Sequence, residues 1–274
     1  MIYLFIFAPY YFYMQSIQNQ EIELHHGLLL FKPKKKTCNY GFILNYQQAK
    51  LKISFELQLT FHGITSQNFA TYSINRKSMR INNEEPFLML YKIANNMANA
   101  IYPVEFTINQ NLECVQISNH KEIIVRCQAV EQKITDYYLG DIPKKMIATF
   151  KENYSNVENL KKQIENDISF QLLFFPIYKA YNHLLQSKID YNFVIDDTKI
   201  DFELTQQIEK KFDDNKKVVV QVASKTNKQN LNSFLANYRL HAKNHNIASV
   251  IGTVVYPIGK ETETLDFECY HLNS

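Results

Sequence analysis

Residues 50–62 alternate without a break. Leu51, Ile53, Phe55, Leu57, Leu59 and Phe61 fall on one side, and Lys50, Lys52, Ser54, Glu56, Gln58, Thr60 and His62 on the other. Successive side chains of an extended chain point to opposite faces, so this is a long strand with one dry and one wet face. A strand so cleanly two-sided belongs to an antiparallel sheet whose apolar face is covered by helices or closes round a core or ligand cavity. The pattern constrains architecture and leaves chemistry open.

With 274 residues, 46% hydrophobic and 21% charged, the chain can bury a large core without disulfides and lies far from the composition of disorder. A net charge of +3 is too small for a phosphate-binding surface, so no nucleic-acid partner is expected. Cys38, Cys114, Cys127 and Cys269 are scattered, form no CxxC and read as reduced thiols rather than zinc ligands. Glycine is scarce, and Gly27, Gly41, Gly63, Gly140, Gly252 and Gly259 make no GxGxxG, GxxxxGK[ST] or GxSxG. Backbone amides approach a pyrophosphate closely only where side chains are missing, so no nucleotide cofactor is expected.

Residues 1–14 are almost wholly apolar or aromatic, yet have no basic start or small-residue cleavage site and are too short to span a bilayer. Three readings stand for them: a start assigned upstream of the true one at Met14, an unusual signal or interfacial anchor, and a buried strand. Nothing else approaches an 18-residue apolar run. No integral membrane span is expected, and the location read from this is cytoplasmic.

Further strands are predicted at residues 21–31, 39–46 and 67–76, with turns at Gln47 and Gln48 and at Gly63. Asn82 and Asn83 offer an N-cap, with Pro86 in the first helical turn. Phe87, Leu90, Ile93, Ala94, Met97 and Ile101 then recur at helical spacing. A hairpin from Val104 to Ile117 leads into a helix opened by Asn119 and Glu122, with Ile123, Ile124, Cys127, Val130, Ile134 and Tyr137 as its apolar face. Gly140 ends that helix, Asp141 and Pro143 open a short successor, and a longer helix runs from Asn156 through Leu172. Period two returns at Tyr191, Phe193 and Ile195 and flips phase at Asp196 and Asp197 to Ile200, Phe202 and Leu204, as a hairpin requires. Val218, Val220 and Val222 make another strand, and Leu265, Phe267 and Cys269 the last.

The fold class expected is therefore α+β, with N-terminal and C-terminal antiparallel β-meanders curved round a central helical segment. The organisation expected is residues 15–140 and 141–274 with a soft boundary near Gly140, packed as one compact unit.

Four constellations could carry chemistry. His241-x-x-x-His245 would place two imidazoles on one helix face. The alternation of Phe234, Ala236, Tyr238, Leu240 and Ala242 makes the segment a strand instead, with Asn244 to Asn246 as its turn. His25 and His26 are neighbours on a predicted strand and point apart. Asp196 and Asp197 read as turn residues rather than a paired acid and base or a calcium site. Lys32, Lys34, Lys35 and Lys36 read as a solvated loop guarding a sheet edge, and Lys210, Lys211, Lys216 and Lys217 are offset by Asp213 and Asp214. No catalytic residue, metal ligand or cofactor is nominated.

Two non-catalytic functions remain. The first is a protein-interaction or structural component that self-associates or binds a partner through a strand edge or helix groove. The second is a carrier of a lipid or other apolar small molecule held between the curved sheet and the first helix. Leu51, Ile53, Phe55, Leu57, Leu59, Phe61, Phe87, Leu90, Ile93 and Met97 would then line the ligand rather than simply fill the core. A hydrolase with a dispersed site is the least supported class.

Overall fold

The computed structural model describes residues 21–22, 24–30, 37–196, 198–225 and 232–272. The elements in chain order are β1 (Thr37–Tyr46), β2 (Leu51–Ile64), β3 (Ala70–Ile81), α1 (Met89–Ile101), β4 (Val104–Ile108), β5 (Cys114–Ile117), α2 (His120–Tyr137), α3 (Asp141–Ser155), α4 (Val157–Glu165) and α5 (Ile168–Leu173). They continue with β6 (Gln186–Ile195), β7 (Thr198–Ile208), β8 (Lys217–Ser224), β9 (Ser233–His241), β10 (Ile247–Ile258) and β11 (Glu261–Leu272).

The fold is α+β, with eleven antiparallel strands in one curved, unclosed sheet in the order β5-β4-β3-β2-β1-β11-β10-β9-β8-β7-β6. Each strand lies beside its chain neighbour except at the centre, where β1 pairs with β11 from Asn39 opposite Leu272 to Tyr46 opposite Leu265. The two meanders are halves of one sheet; α1 is inserted between β3 and β4, and α2 to α5 occupy the long connection between the outer strands β5 and β6.

Alternation dictates the inner face. Tyr40, Phe42 and Leu44 of β1, Phe55, Leu57 and Phe61 of β2, and Leu265, Phe267 and Cys269 of β11 are all buried. Register shifts between Ser54 and Glu56 and between Phe61 and Gly63 interrupt the β2–β3 ladder, and such bulges bend a sheet. Two-residue turns join β6 to β7 and β10 to β11. Asp196 (φ 48°) and Gly259 (φ 62°) there adopt the left-handed conformation that tight hairpins require.

The concave face is filled by α5 and the turn after it. Phe174 sets its ring edge-on to Tyr72 of β3 (5.4 Å) and Phe106 of β4 (5.6 Å), while Phe175 stacks on Phe234 (5.8 Å) and Tyr238 (5.5 Å) of β9. One short segment thus ties both halves of the sheet together. Aromatic pairs in these geometries contribute about 0.5–1.5 kcal/mol each beyond area burial.

Several expectations are corrected. Residues 21–30 form no continuous strand, because His26 (φ 52°) and Gly27 (φ 72°) turn the chain through a short 3-10 helix, His25–Gly27. The segment is a strap: Ile22 N–H bonds the Lys210 carbonyl, Leu29 N–H the Lys179 carbonyl, and His245 Nδ1 the Leu30 carbonyl. Gly63 lies inside β2, and the turn falls at Thr65 to Asn68. Asn82 and Asn83 both have positive φ and form a turn, so α1 starts only at Met89 and leaves Pro86 and Phe87 outside it. Asn119 precedes α2 without capping it, since its side chain bonds Glu105 N–H and the Pro103 carbonyl. The helix expected from Asn156 through Leu172 is two helices, because Asp167 accepts the N–H groups of Ser169 and Phe170 and opens a new one. The sequence reading also missed β10. Residues 1–14, Lys32, Lys34, Lys35, Lys36 and Asp197 lie outside the described residues.

Candidate interaction surface

Five of the ten residues proposed to line a ligand, Phe55, Leu57, Phe61, Ile93 and Met97, are buried in one common core. Ile53 and Leu59 pack against that core part-buried, and Leu51 is half-buried. Phe55 stacks on Phe42 with ring centroids 5.1 Å apart, and Phe61 lies 5.3 Å from Tyr72. These neighbours are protein rings. Phe87 and Leu90 are not brought to the core at all and stand exposed.

The reason lies in how the helices stack. Arg126 of α2 donates from Nε to the Ala100 carbonyl (3.1 Å) and from Nη2 to the carbonyls of Ile101 (2.9 Å) and Pro103 (2.8 Å). It thereby satisfies carbonyls that the end of α1 leaves open. This pins the C-terminus of α1 beside the first half of α2, and the two helices run antiparallel. On the other flank Met97 and Ile101 of α1 face Met146 and Phe150 of α3 across a groove of about 430 Å³. A wider groove of about 740 Å³ separates α1 from α2, lined among others by Ala100, Val130, Ile134 and Tyr137.

The start of α1, the end of α2 and the start of α3 consequently lie at one end of the helical layer. Phe87 (64% exposed), Leu88, Met89 and Leu90 are consecutive there, joined by Tyr137 (78%), Leu139 (87%) and Ile142 (56%). Scattered exposed apolar side chains are ordinary, whereas seven on three neighbouring element ends are the kind of surface that marks an interaction site. Sequence periodicity placed Leu90 and Tyr137 on core-facing stripes. It missed the cluster because both stripes run past the point where sheet and helices stop covering them.

The two outer strands meet the helices at a polar seam. Glu165, at the end of α4, accepts Cys114 N–H of β5 (3.0 Å). Burial holds its carboxyl above the ordinary carboxylate value, outweighing that hydrogen bond and nearby Lys161. Gln171 of α5 donates to the Val194 carbonyl of β6 (2.8 Å) and accepts Val194 N–H (2.9 Å), as a neighbouring strand would. Two side chains therefore cover one end of each sheet edge.

The remaining candidates settle into structural roles. His241 closes β9 and accepts from Lys217 Nζ at Nδ1 (2.8 Å), whereas His245 turns away to the Leu30 carbonyl. The segment is the strand and turn that alternation predicts, and the two imidazoles do not converge. Asp196 accepts from Tyr256 in the β6–β7 turn, and Asp213 faces Arg239 (3.2 Å). Cys38, Cys114, Cys127 and Cys269 are buried and not joined in disulfides. Among the described residues no group of three or more His, Cys, Asp or Glu is placed to hold a metal, and no helix is long and apolar enough to cross a membrane. The chain matches no known protein family and resembles no curated protein closely enough to be counted a relative.

Proposed function

We propose that this chain is a non-catalytic protein-interaction component of an assembly, docking a partner protein through the apolar end of its helical layer. The observation that carries the reading is the exposed run Phe87 to Leu90 with Tyr137, Leu139 and Ile142 beside it. The rings of Phe170, Phe174 and Phe175 occupy the concave face that a ligand between sheet and helix would need, which favours this reading over a carrier of lipid or other apolar molecule. Four cysteines without a disulfide support a reducing, cytoplasmic setting. The small net charge of +3 supports a protein rather than a nucleic-acid partner.

The test is the size of the native complex in extracts of the source cells. Wild type is expected to run larger than the purified protein, and a Leu88→Asp/Leu139→Asp double variant at the purified size. Ile64→Asp, which charges an exposed side chain where β2 turns into β3 rather than one of the seven, is expected to stay in the complex. Wild type running at the isolated size, or a double variant retained in the complex, overturns the reading.

A further inference from the structure

The outer edge of β6 is a second, separate surface. In the β6–β7 hairpin Ile195 sits opposite Thr198 across a two-residue turn, so these two residues bond each other. By alternation Phe193, Tyr191 and Ile189 also bond β7, and Gln186, Lys188, Asp190, Asn192 and Val194 turn their backbone groups outward. Asn182 takes both groups of Gln186, its N–H donating to the Gln186 carbonyl and its Oδ1 accepting Gln186 N–H. Gln171 takes both groups of Val194, and Lys179 Nζ reaches the Lys188 carbonyl at a long 3.4 Å, so the open stretch runs from Lys188 to Asn192. The backbone groups of Asp190 and Asn192 face outward with no partner among the described residues. Natural edges are usually blunted by a proline, a bulge or clustered lysines. This strand carries no proline, pairs with β7 without a register shift and bears one lysine and one aspartate. The opposite edge is only four residues long, Cys114–Ile117, and Glu165 covers its start.

We propose that β6 pairs antiparallel with β6 of a second copy of this chain about a two-fold axis beside Ile189, continuing the sheet across the dimer. Charge selects the copy and the register. With the axis at Ile189, Lys188 faces Asp190 of the second copy and Asp190 faces its Lys188, within the stretch that Asn182 and Gln171 leave open. Moving the axis to Asp190 sets two aspartates face to face, and moving it to Lys188 sets two lysines together; like charges directly opposite are destabilising. Within its own chain Asp190 lies opposite the acidic Glu203 and shares the one ammonium of Lys225 with it, so Lys188 of a second copy would supply a cation of its own. This contact is independent of the apolar helical end.

The test is the solution mass of the purified full chain by light scattering and sedimentation. Wild type is expected to be a dimer. Lys188→Asp and Asp190→Lys, each replacing two opposite-charge pairs with two like-charge pairs, are each expected to weaken it by about tenfold or more. An equal mixture of the two variants is expected to recover a heterodimer, because each then supplies the charge the other lacks. Asp190→Pro removes, together with the charge, an outward N–H that β7 does not use, and is expected to give a folded monomer with its unfolding midpoint little changed. Leu88→Asp/Leu139→Asp is expected to remain dimeric, so this contact and the proposed partner site fail separately. A monomeric wild type at its highest soluble concentration, charge variants that stay dimeric, or a mixture that stays monomeric overturns the proposal.

Discussion

Gly252 shows how tightly single residues hold the sheet's bend. A Cβ there would come within 2.3 Å of the Leu235 carbonyl oxygen on β9 and 2.5 Å of the Phe267 ring on β11, so the ring lies across the position a side chain would take. Backbone cannot yield as a flexible side chain can, and Gly252→Ala is expected to cost about 2–3 kcal/mol, read as a lower denaturant midpoint. Glu165 makes a different test. Its folded carboxyl binds the proton more tightly than the unfolded one, so its contribution to stability is present at low pH and lost as pH rises through the folded value. Glu165→Gln keeps an acceptor for Cys114 N–H and removes the charge. Relative to wild type, the variant is expected to gain stability as pH rises just above the ordinary carboxylate range; denaturation midpoints across that window check it, and a constant difference would contradict it.

The elements differ in how much of them the sequence disclosed. Long amphipathic strands such as β2, β7 and β9 were legible, since period-two burial on a curved sheet imprints directly on side-chain polarity. That same pattern separated a strand from a helix at His241 and His245. β10 was missed because its central residues, Val250 to Thr253, mix buried and half-buried positions without clean alternation. The break between α4 and α5 was missed because it depends on which backbone groups Asp167 caps, and an aspartate within a helical pattern does not declare that choice. The α5 hinge to the sheet edge rests on Gln171, which is buried and bonds Val194 twice and the Asn166 carbonyl once. Gln171→Ala leaves those groups unpaired and is expected to cost about 2–3 kcal/mol, with faster amide exchange at Val194. Unchanged exchange there would show that α5 does not cover the edge.

For the whole molecule, the joining of β1 to β11 was beyond sequence reading, because pairing between remote strands leaves no local periodicity. The filled concave face was equally hidden: Phe170, Phe174 and Phe175 look like any apolar run until the sheet wraps round them. Of the candidate site, the buried members of the predicted lining could be read from periodicity. The exposed end of the helical layer could not, since exposure is decided by where neighbouring elements stop. On the proposed function, partner contacts lie at the outside of the molecule rather than in its interior.

Native mass spectrometry of protein purified from its own source, followed by the same sample denatured, tests that claim most directly. Assemblies containing a partner chain that the Leu88→Asp/Leu139→Asp variant fails to retain are expected. A partner-free chain carrying an extra few hundred daltons that denaturation removes would contradict it, and would return the apolar-ligand carrier as the better reading.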